Sequence, residues 1–300
     1  MAAAQTTDVL VIGAGIAGSG AAFYLAQKGV QVTLIEREHP ASGPTGKSSA
    51  LSHVFYMMPE LQQLAARGIE ILKSLPELTG EAPVFRSVGH LWACGENTRA
   101  AFEDAVAQIK RSIKTEIEIL GGNELRRMQP EFDWEGLALA VWEPNCGYAD
   151  PYTATNVLAK GVKDKGGRVL QNTRVKRLVV EGGRIKGVET EKGERIAAEI
   201  VIAATGVWTK PLIARVGVDL PLHVERHAMA VLDAKGAARK IMPWCWVDDK
   251  LMNYGRPDGD NVILLGVWEG GGTGIRHGEA SRQYHRGRPE EYDEGSDTEE

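Results

Sequence analysis

The residues best suited to chemistry in this chain lie between Asp8 and Glu36. Gly13, Gly15 and Gly18 form the spacing G-x-G-x-x-G. Each glycine answers a separate demand: a tight turn, close approach of a pyrophosphate to the backbone, and close packing of a helix on a strand. The amides of Gly13, Ala14, Gly15, Ile16, Ala17 and Gly18 would then surround an anion at a helix N-terminus. Glu36 lies 18 residues after the last of these glycines, near the ~20 at which a carboxylate accepts hydrogen bonds from an adenosine ribose. A 2′-phosphate there would be repelled. The pattern points to dinucleotide binding, and by itself it does not separate FAD from NAD.

Such a site needs a strand, a helix and a second strand to hold it. Val9-Leu10-Val11-Ile12 is a β-branched apolar run of the kind buried on both faces of a parallel sheet. Ala21, Ala22, Leu25 and Ala26 give the next segment a small apolar helical face, Gly29 stops it, and Val32 to Ile35 makes the second strand. The segment HPASGPTGKSSALS from His39 reads as a loop followed by a helix start. Its Thr45, Lys47, Ser48 and Ser49 sit where phosphate or ribityl contacts would fall, or form a solvated loop. Leu61, Leu64, Ala65, Gly68, Leu72 and Leu75 then recur at helical spacing, and Pro76 is expected to end that helix.

With 300 residues and 43% hydrophobic content, the chain has material for one large or two ordinary domains. No apolar run approaches the ~18 residues of a membrane span, and the residues before Asp8 are too few for a leader, so a cytoplasmic protein is expected. Cys94, Cys146 and Cys245 are widely spaced, so buried reduced thiols are expected, with neither a disulfide framework nor a metal site. Of the net charge of −5, residues 276–300 carry −4. Nothing suggests a nucleic-acid partner.

Further on, Val84 to Cys94 reads as a strand, Asn97 as the N-cap of a helix carrying Phe102, Ala105, Val106, Ile109 and Ile113, and Leu137 to Trp142 as another strand. This stretch departs from an alternating α/β pattern and reads as an inserted second domain. Asp150-Pro151 starts a helix that Gly166-Gly167 ends. Thr173 to Val180, Arg184 to Thr190 and Glu194 to Ala197 form a β-meander, and Glu199 to Ala204 is an apolar strand running into Thr205-Gly206.

That order of strand, glycine fingerprint, acid, inserted region, Asp-Pro helix, meander and Ala-Thr-Gly strand end resembles the FAD-dependent D-amino-acid oxidase (DAO) superfamily. It is nearest to the sarcosine, glycine and dimethylglycine oxidising branch, and the resemblance covers about residues 8 to 270. It implies a Rossmann-like α/β FAD-binding domain, a parallel sheet with a β-meander, over residues 1–83 and 146–220. An α+β substrate domain with a large mixed or antiparallel sheet would take residues 84–145 and 221–275, leaving 276–300 as an acidic tail or interrupted linker.

The resemblance also places the cofactor contacts. FAD would be held by Gly13 to Gly18, Glu36, Arg37, Thr45, Gly46, Lys47, Ser48, Val175, Ala204 and Gly206. Ser48 stands where relatives carry a flavin-linking histidine, which implies dissociable FAD. Over the flavin, LMNYGRPDG from Leu251 offers Tyr254 and Arg256, which read equally as an exposed strand edge. His227 faces the flavin or, by the favoured reading, fills the core. No catalytic side chain is singled out, because hydride transfer from the substrate carbon to flavin needs only orientation, a neutral amine and exclusion of water. Ser52, His53 and Phe55 depart from the arginine or histidine that some relatives have after this loop. The small-molecule substrate implied is an amine or amino acid. Leu264, where fast-reacting oxidases place a lysine, points to an electron-transfer partner. The family's C-terminal closing segment is missing from the sequence, so the chain is expected to be the front part of a longer enzyme or a truncated form.

Overall fold

The computed structural model describes residues 5–225 and 227–267. The chain opens with β1 (Gln5–Ile12), α1 (Ile16–Gln27) and β2 (Val32–Ile35), as its apolar runs require. Next come β3 (Leu51–Ser52), α2 (Pro59–Thr79), β4 (Phe85–Ser87), β5 (His90–Cys94) and α3 (Arg99–Ser112). They are followed by β6 (Glu118–Gly121), α4 (Gly122–Met128), β7 (Leu139–Glu143) and β8 (Gly147–Ala149). Helix α5 (Pro151–Asp164), with Asp150 Oδ1 accepting from the Thr153 amide, leads into β9 (Arg168–Leu170), β10 (Val175–Glu181), β11 (Arg184–Thr190) and β12 (Arg195–Ala203). Last are α6 (Thr209–Ala214), β13 (Ala228–Asp233), α7 (Ala238–Ile241), β14 (Cys245–Asp248), β15 (Asn253–Asp258) and β16 (Val262–Val267).

A six-stranded sheet, ordered β10-β11-β12-β1-β2-β9, carries the fingerprint at its centre. β1 is parallel to β12 and β2 on either side, which is why Leu10 and Val11 are fully buried. α1 and α5 cover one face, so close together that a Cβ on Gly161 would lie 2.5 Å from the Phe23 ring. The second sheet is mixed and seven-stranded, ordered β13-β16-β15-β14-β5-β7-β6. Its one parallel pairing, Cys245↔His90 through Asp248↔Ala93, joins two stretches of chain that are distant in sequence. Phe102, Ala105, Val106 and Ile109 of α3 pack in one core cluster with Leu139 and Val141 of β7, on the face their spacing indicated. A small sheet, β3-β8-β4, completes the described structure.

Several local readings are corrected. Pro76 lies inside α2 instead of ending it. The hydrogen bond it forgoes is outweighed by the last turn, which buries Leu75 and packs Leu78 on the core, and Gly80, at φ 73°, stops the helix. The segment after His39 forms a 3-10 turn at Pro44–Lys47 and then β3, and the next helix starts only at Pro59. Thr98, not Asn97, precedes α3. Val84 to Cys94 is two strands broken at Gly89, whose φ of 88° and contact with the Trp142 ring redirect the chain from the small sheet into the large one. The third meander strand and the apolar run after it are one strand, β12. It pairs antiparallel with β11 near its start and parallel with β1 along its length, because Ile196 and Ala198 belong to the same core cluster as Leu10 and Ile12. The three cysteines are free and buried, as expected. The expected tail at 276–300 lies outside the described residues.

Candidate functional site

The end of β1 and the start of α1 interlock with the end of β12. Gly13, at φ 97°, donates its amide to the Ile35 carbonyl at 2.8 Å, and a Cβ there would come within 2.5 Å of the Ala204 oxygen. A Cβ on Gly18 would lie 1.9 Å from the Gly13 oxygen and 3.1 Å from the Ala204 side chain. Ala204 is held by its amide to the Ile12 carbonyl at 2.9 Å. These glycines are thus required by the protein's own packing, as the strand-to-helix geometry demands.

Gly15 caps α1 without a side chain, and the first turn has no acid, so its end stays electropositive. Thr45 Oγ1 accepts from the Ile16 amide at 3.2 Å, and a Cβ on Gly15 would meet that oxygen at 3.0 Å. Ala17 is exposed in the same turn, and the Ile16 side chain stands 41% exposed at the mouth. Gly46 is wedged between the Ala41 carbonyl and the Tyr152 ring, with no room for a Cβ, and Lys47 ends the 3-10 turn. Ser48 Oγ donates to the Thr45 carbonyl at 2.8 Å. The result is a bare, amide-rich helix end with a hydroxyl beside it, which suits a pyrophosphate.

Glu36 is buried at the end of β2. Its Oε2 accepts from the Ala14 amide at 2.7 Å and its Oε1 from the Glu38 amide at 3.1 Å. The Arg37 guanidinium stacks 4.0 Å over the Trp208 ring, just after Gly206, which has φ 55° and opens a single 3-10 turn. A cavity of about 290 Å³ opens at this corner, lined by Arg37, Thr173, Arg174, Thr190 and Lys192 among others. Val175, opposite Thr190 in the β10–β11 ladder, packs from beneath against the β1 and β2 core. This recess, which Glu38 and Glu191 also line, begins at the two residues that follow Glu36.

On the side expected to face substrate, Tyr254 is half-buried in β15, its ring filling the space a side chain at Gly266 would occupy, and burial pushes its phenol up. Arg256 is buried. Its Nε donates to the Ser49 carbonyl at 2.7 Å, its Nη1 to the Pro257 carbonyl at 3.0 Å and to Asp258 at 2.9 Å, and the guanidinium lies 4.1 Å over the Tyr148 ring. It ties the Thr45–Ser49 loop to the seven-stranded sheet. His227 does not fill the core as favoured. It is exposed, 3.7 Å from Glu225, because the chain before β13 runs over the surface.

Sequence reasoning missed a second polar centre. His53, His90 and Glu143 are all buried, and His90 is the direct cross-strand partner of Glu143 in the β5–β7 ladder. His53 Nδ1 donates to the Phe55 carbonyl at 2.9 Å, and its ring stacks on His90 at 4.4 Å and on Tyr56 at 4.5 Å. Glu143 Oε1 accepts from the amides of Val54 at 2.8 Å and Phe55 at 3.1 Å. His90 Nδ1 lies 3.5 Å from Glu143 Oε2, too far for a good hydrogen bond. Burial, reinforced by His90, pushes His53 down to about 3 against the opposing pull of Glu143 and the Phe55 carbonyl. For Glu143, burial raises the carboxyl, but the two imidazoles and the Val54 amide outweigh it and hold the group below its usual range. No sequence spacing flags this trio, since its members come from a loop and two strands.

A sequence profile of the family described as DAO, FAD dependent oxidoreductase, matches residues 8–294. The chain belongs to that family of FAD-dependent oxidoreductases. Among curated relatives, it is 27% identical over 286 residues to anaerobic glycerol-3-phosphate dehydrogenase subunit A1 of Haloferax volcanii, covering 87% of this chain and 44% of that protein. It is 24% identical to monomeric sarcosine oxidase of a Bacillus species, covering 76% of this chain and 58% of that one. The chain thus spans about half the length of these two relatives. Among solved structures, L-proline dehydrogenase from P. horikoshii superposes with a TM-score of 0.79 at 25% identity, over 91% of this chain and 72% of that one. Among the described residues, no helix is long and apolar enough to cross a membrane.

Proposed function

We propose that the protein oxidises the C–N bond of a secondary amine or amino acid, sarcosine-like, glycine-like or a D-amino acid, with dissociable FAD. The observation that carries the reading is the interlocked cradle of Gly13, Gly18 and Ala204 beneath the end of α1, with the buried Glu36 carboxylate at the end of β2. FAD, where bound, supplies the two-electron acceptor for the hydride of the substrate carbon. The chain's own part is to bind and orient. The turn from Gly13 to Gly18 and Thr45, Gly46, Lys47 and Ser48 take the pyrophosphate side, with the Gly13, Ala14 and Ile16 amides held by the Ile35 carbonyl, Glu36 and Thr45. Glu36 and Arg37 take the adenosine side, with Val175 and Gly206 bordering it. Ser48 offers no imidazole for a covalent link.

Tyr254, Arg256 and His227 are the candidates on the substrate side, and Arg256 acts there by holding the Ser49 carbonyl and the loop it belongs to. The cofactor half of the proposed division spans 1–83 and 146–220, and the substrate half 84–145 and 221–275. The pairing of β14 with β5 supports it. Two named relatives support an amine or amino acid, a sarcosine oxidase and an L-proline dehydrogenase. A glycerol-3-phosphate dehydrogenase subunit among the relatives favours, as a second reading, another flavin-dependent dehydrogenase. A flavin-binding assembly protein without turnover is the third.

Anaerobic mixing of the FAD-loaded protein with N-methyl amino acids, glycine, proline, D-amino acids and glycerol 3-phosphate separates these readings. Bleaching of the flavin by an amine supports the first, bleaching by glycerol 3-phosphate alone supports the second, and none at all supports the third. Leu264, half-buried in β16, puts no cation near the ring and favours transfer of electrons to a partner over oxygen. Slow reoxidation by air in stopped flow, accelerated in Leu264→Lys, is the expected result.

A further inference from the structure

We propose that His53, His90 and Glu143 bind one divalent transition-metal ion of the zinc class, joining the loop after β3 to strands β5 and β7. Each residue offers one ligand atom, and these atoms all lie within 4.8 Å of one another in the buried interior. Two imidazoles and a carboxylate form a donor set that zinc and its neighbours favour.

The second observation is where hydrogen bonds are missing. Both ring nitrogens of His90 and Oε2 of Glu143 are buried without a hydrogen-bond partner. Buried polar atoms are otherwise nearly always paired, and an unpaired carboxylate oxygen beside an imidazole lone pair is what a cation would satisfy. The groups that are paired support the same assignment. His53 Nδ1 is committed to the Phe55 carbonyl, so Nε2 carries the lone pair, and the ring is oriented by the kind of backbone hydrogen bond that metal-bound histidines usually have. Glu143 Oε1 is committed to the amides of Val54 and Phe55, with the Cys146 thiol 3.4 Å away, leaving Oε2 as the ligand atom. The Cys146 thiol donates to Oε1, on the side of the carboxylate away from the proposed ligand atom.

The two rings are stacked, with centroids 4.4 Å apart and planes 19° apart, so their lone pairs do not yet converge. His90 is the member that turns, because neither of its nitrogens is held. Metal–ligand bonds of ~2.0–2.1 Å then draw the three groups closer than their present spread. Trp92 and Phe55 wall the site, and three protein ligands leave a fourth position for a water molecule. This inference stands independently of the proposed enzymatic activity.

The test uses the full chain, stripped of metal with a chelator and checked for fold by circular dichroism, then titrated with Co²⁺ and with Zn²⁺. Expected are one equivalent of Co²⁺ with a visible ligand-field absorption, its displacement by Zn²⁺, and a Zn²⁺-dependent rise in Tm. His90→Gln and Glu143→Gln should each weaken binding by ~100-fold or more, and His223→Gln, at an exposed position, should leave it unchanged. The wild-type titration decides the matter even where a variant fails to fold. No stoichiometric Co²⁺ band in the folded wild type, or binding that survives in both His90→Gln and Glu143→Gln, overturns the proposal. The first result would leave ordered water to satisfy these groups, and the second would mean adventitious surface binding.

Discussion

The nucleotide cradle and the His53–His90–Glu143 centre are both buried polar sites, and they are built by opposite means. In the cradle the working groups are backbone amides, the glycines exist to let main chains touch, and both oxygens of Glu36 have donors. At the second centre the working groups are side chains brought together by strand register, and several of their polar atoms have no protein partner. A backbone site must use glycine at set spacings, so it leaves a local signature. A site built by register leaves none, because any residue can occupy a cross-strand position.

The largest expected effect would break the cradle while sparing the other site. Gly18→Ala places a methyl 1.9 Å from the Gly13 carbonyl, where no flexible side chain can yield. It should cost about 3 kcal/mol of stability and abolish FAD binding, as read by urea denaturation and flavin fluorescence titration. Glu36→Ala comes next. Loss of the buried carboxylate that holds the Ala14 amide, and that we propose bonds the ribose, should weaken FAD by about 1.5 to 3 kcal/mol, and unchanged affinity would remove Glu36 from the site.

A smaller effect sharpens the contrast from the other side. With metal removed, Glu143→Gln keeps an acceptor for the amides of Val54 and Phe55 and should cost about 1 kcal/mol, whereas Glu143→Leu orphans both amides and should cost about 3 kcal/mol. Neither should alter FAD affinity by more than ~2-fold if the two sites are independent. The mildest test concerns the closed interior around the second centre. Burial first pushes Cys94, beside Asp249, up to about 11 and Cys245, beside Arg256, up to about 12. At pH 8 both thiols should react with iodoacetamide at least ~100-fold more slowly than free cysteine, becoming reactive only on unfolding, as followed by mass spectrometry.

Not every local signal carried the same weight. Val9 to Ile12, the three glycines and Val32 to Ile35 were legible because each requirement is met within a few residues. Gly29 and the Asp150 cap likewise mark the ends of helices where the chain alone decides. Pro76 misled because the burial of Leu75 and Leu78 outweighs the bond that a proline forgoes, and that burial is a tertiary quantity. Arg256 could be singled out as a charged residue on a strand, but its commitment to Ser49, more than 200 residues earlier, could not be foreseen.

The amino-acid sequence by itself determined the dinucleotide cradle, the order of its strands and helices, and the family, because glycine spacing, apolar runs and one acid act locally on the backbone. Only the tertiary structure decided that β12 serves two ladders, that Arg256 holds the cofactor loop, and that two histidines and a glutamate meet in the core. Those facts depend on register and packing between segments that the chain's own order keeps far apart.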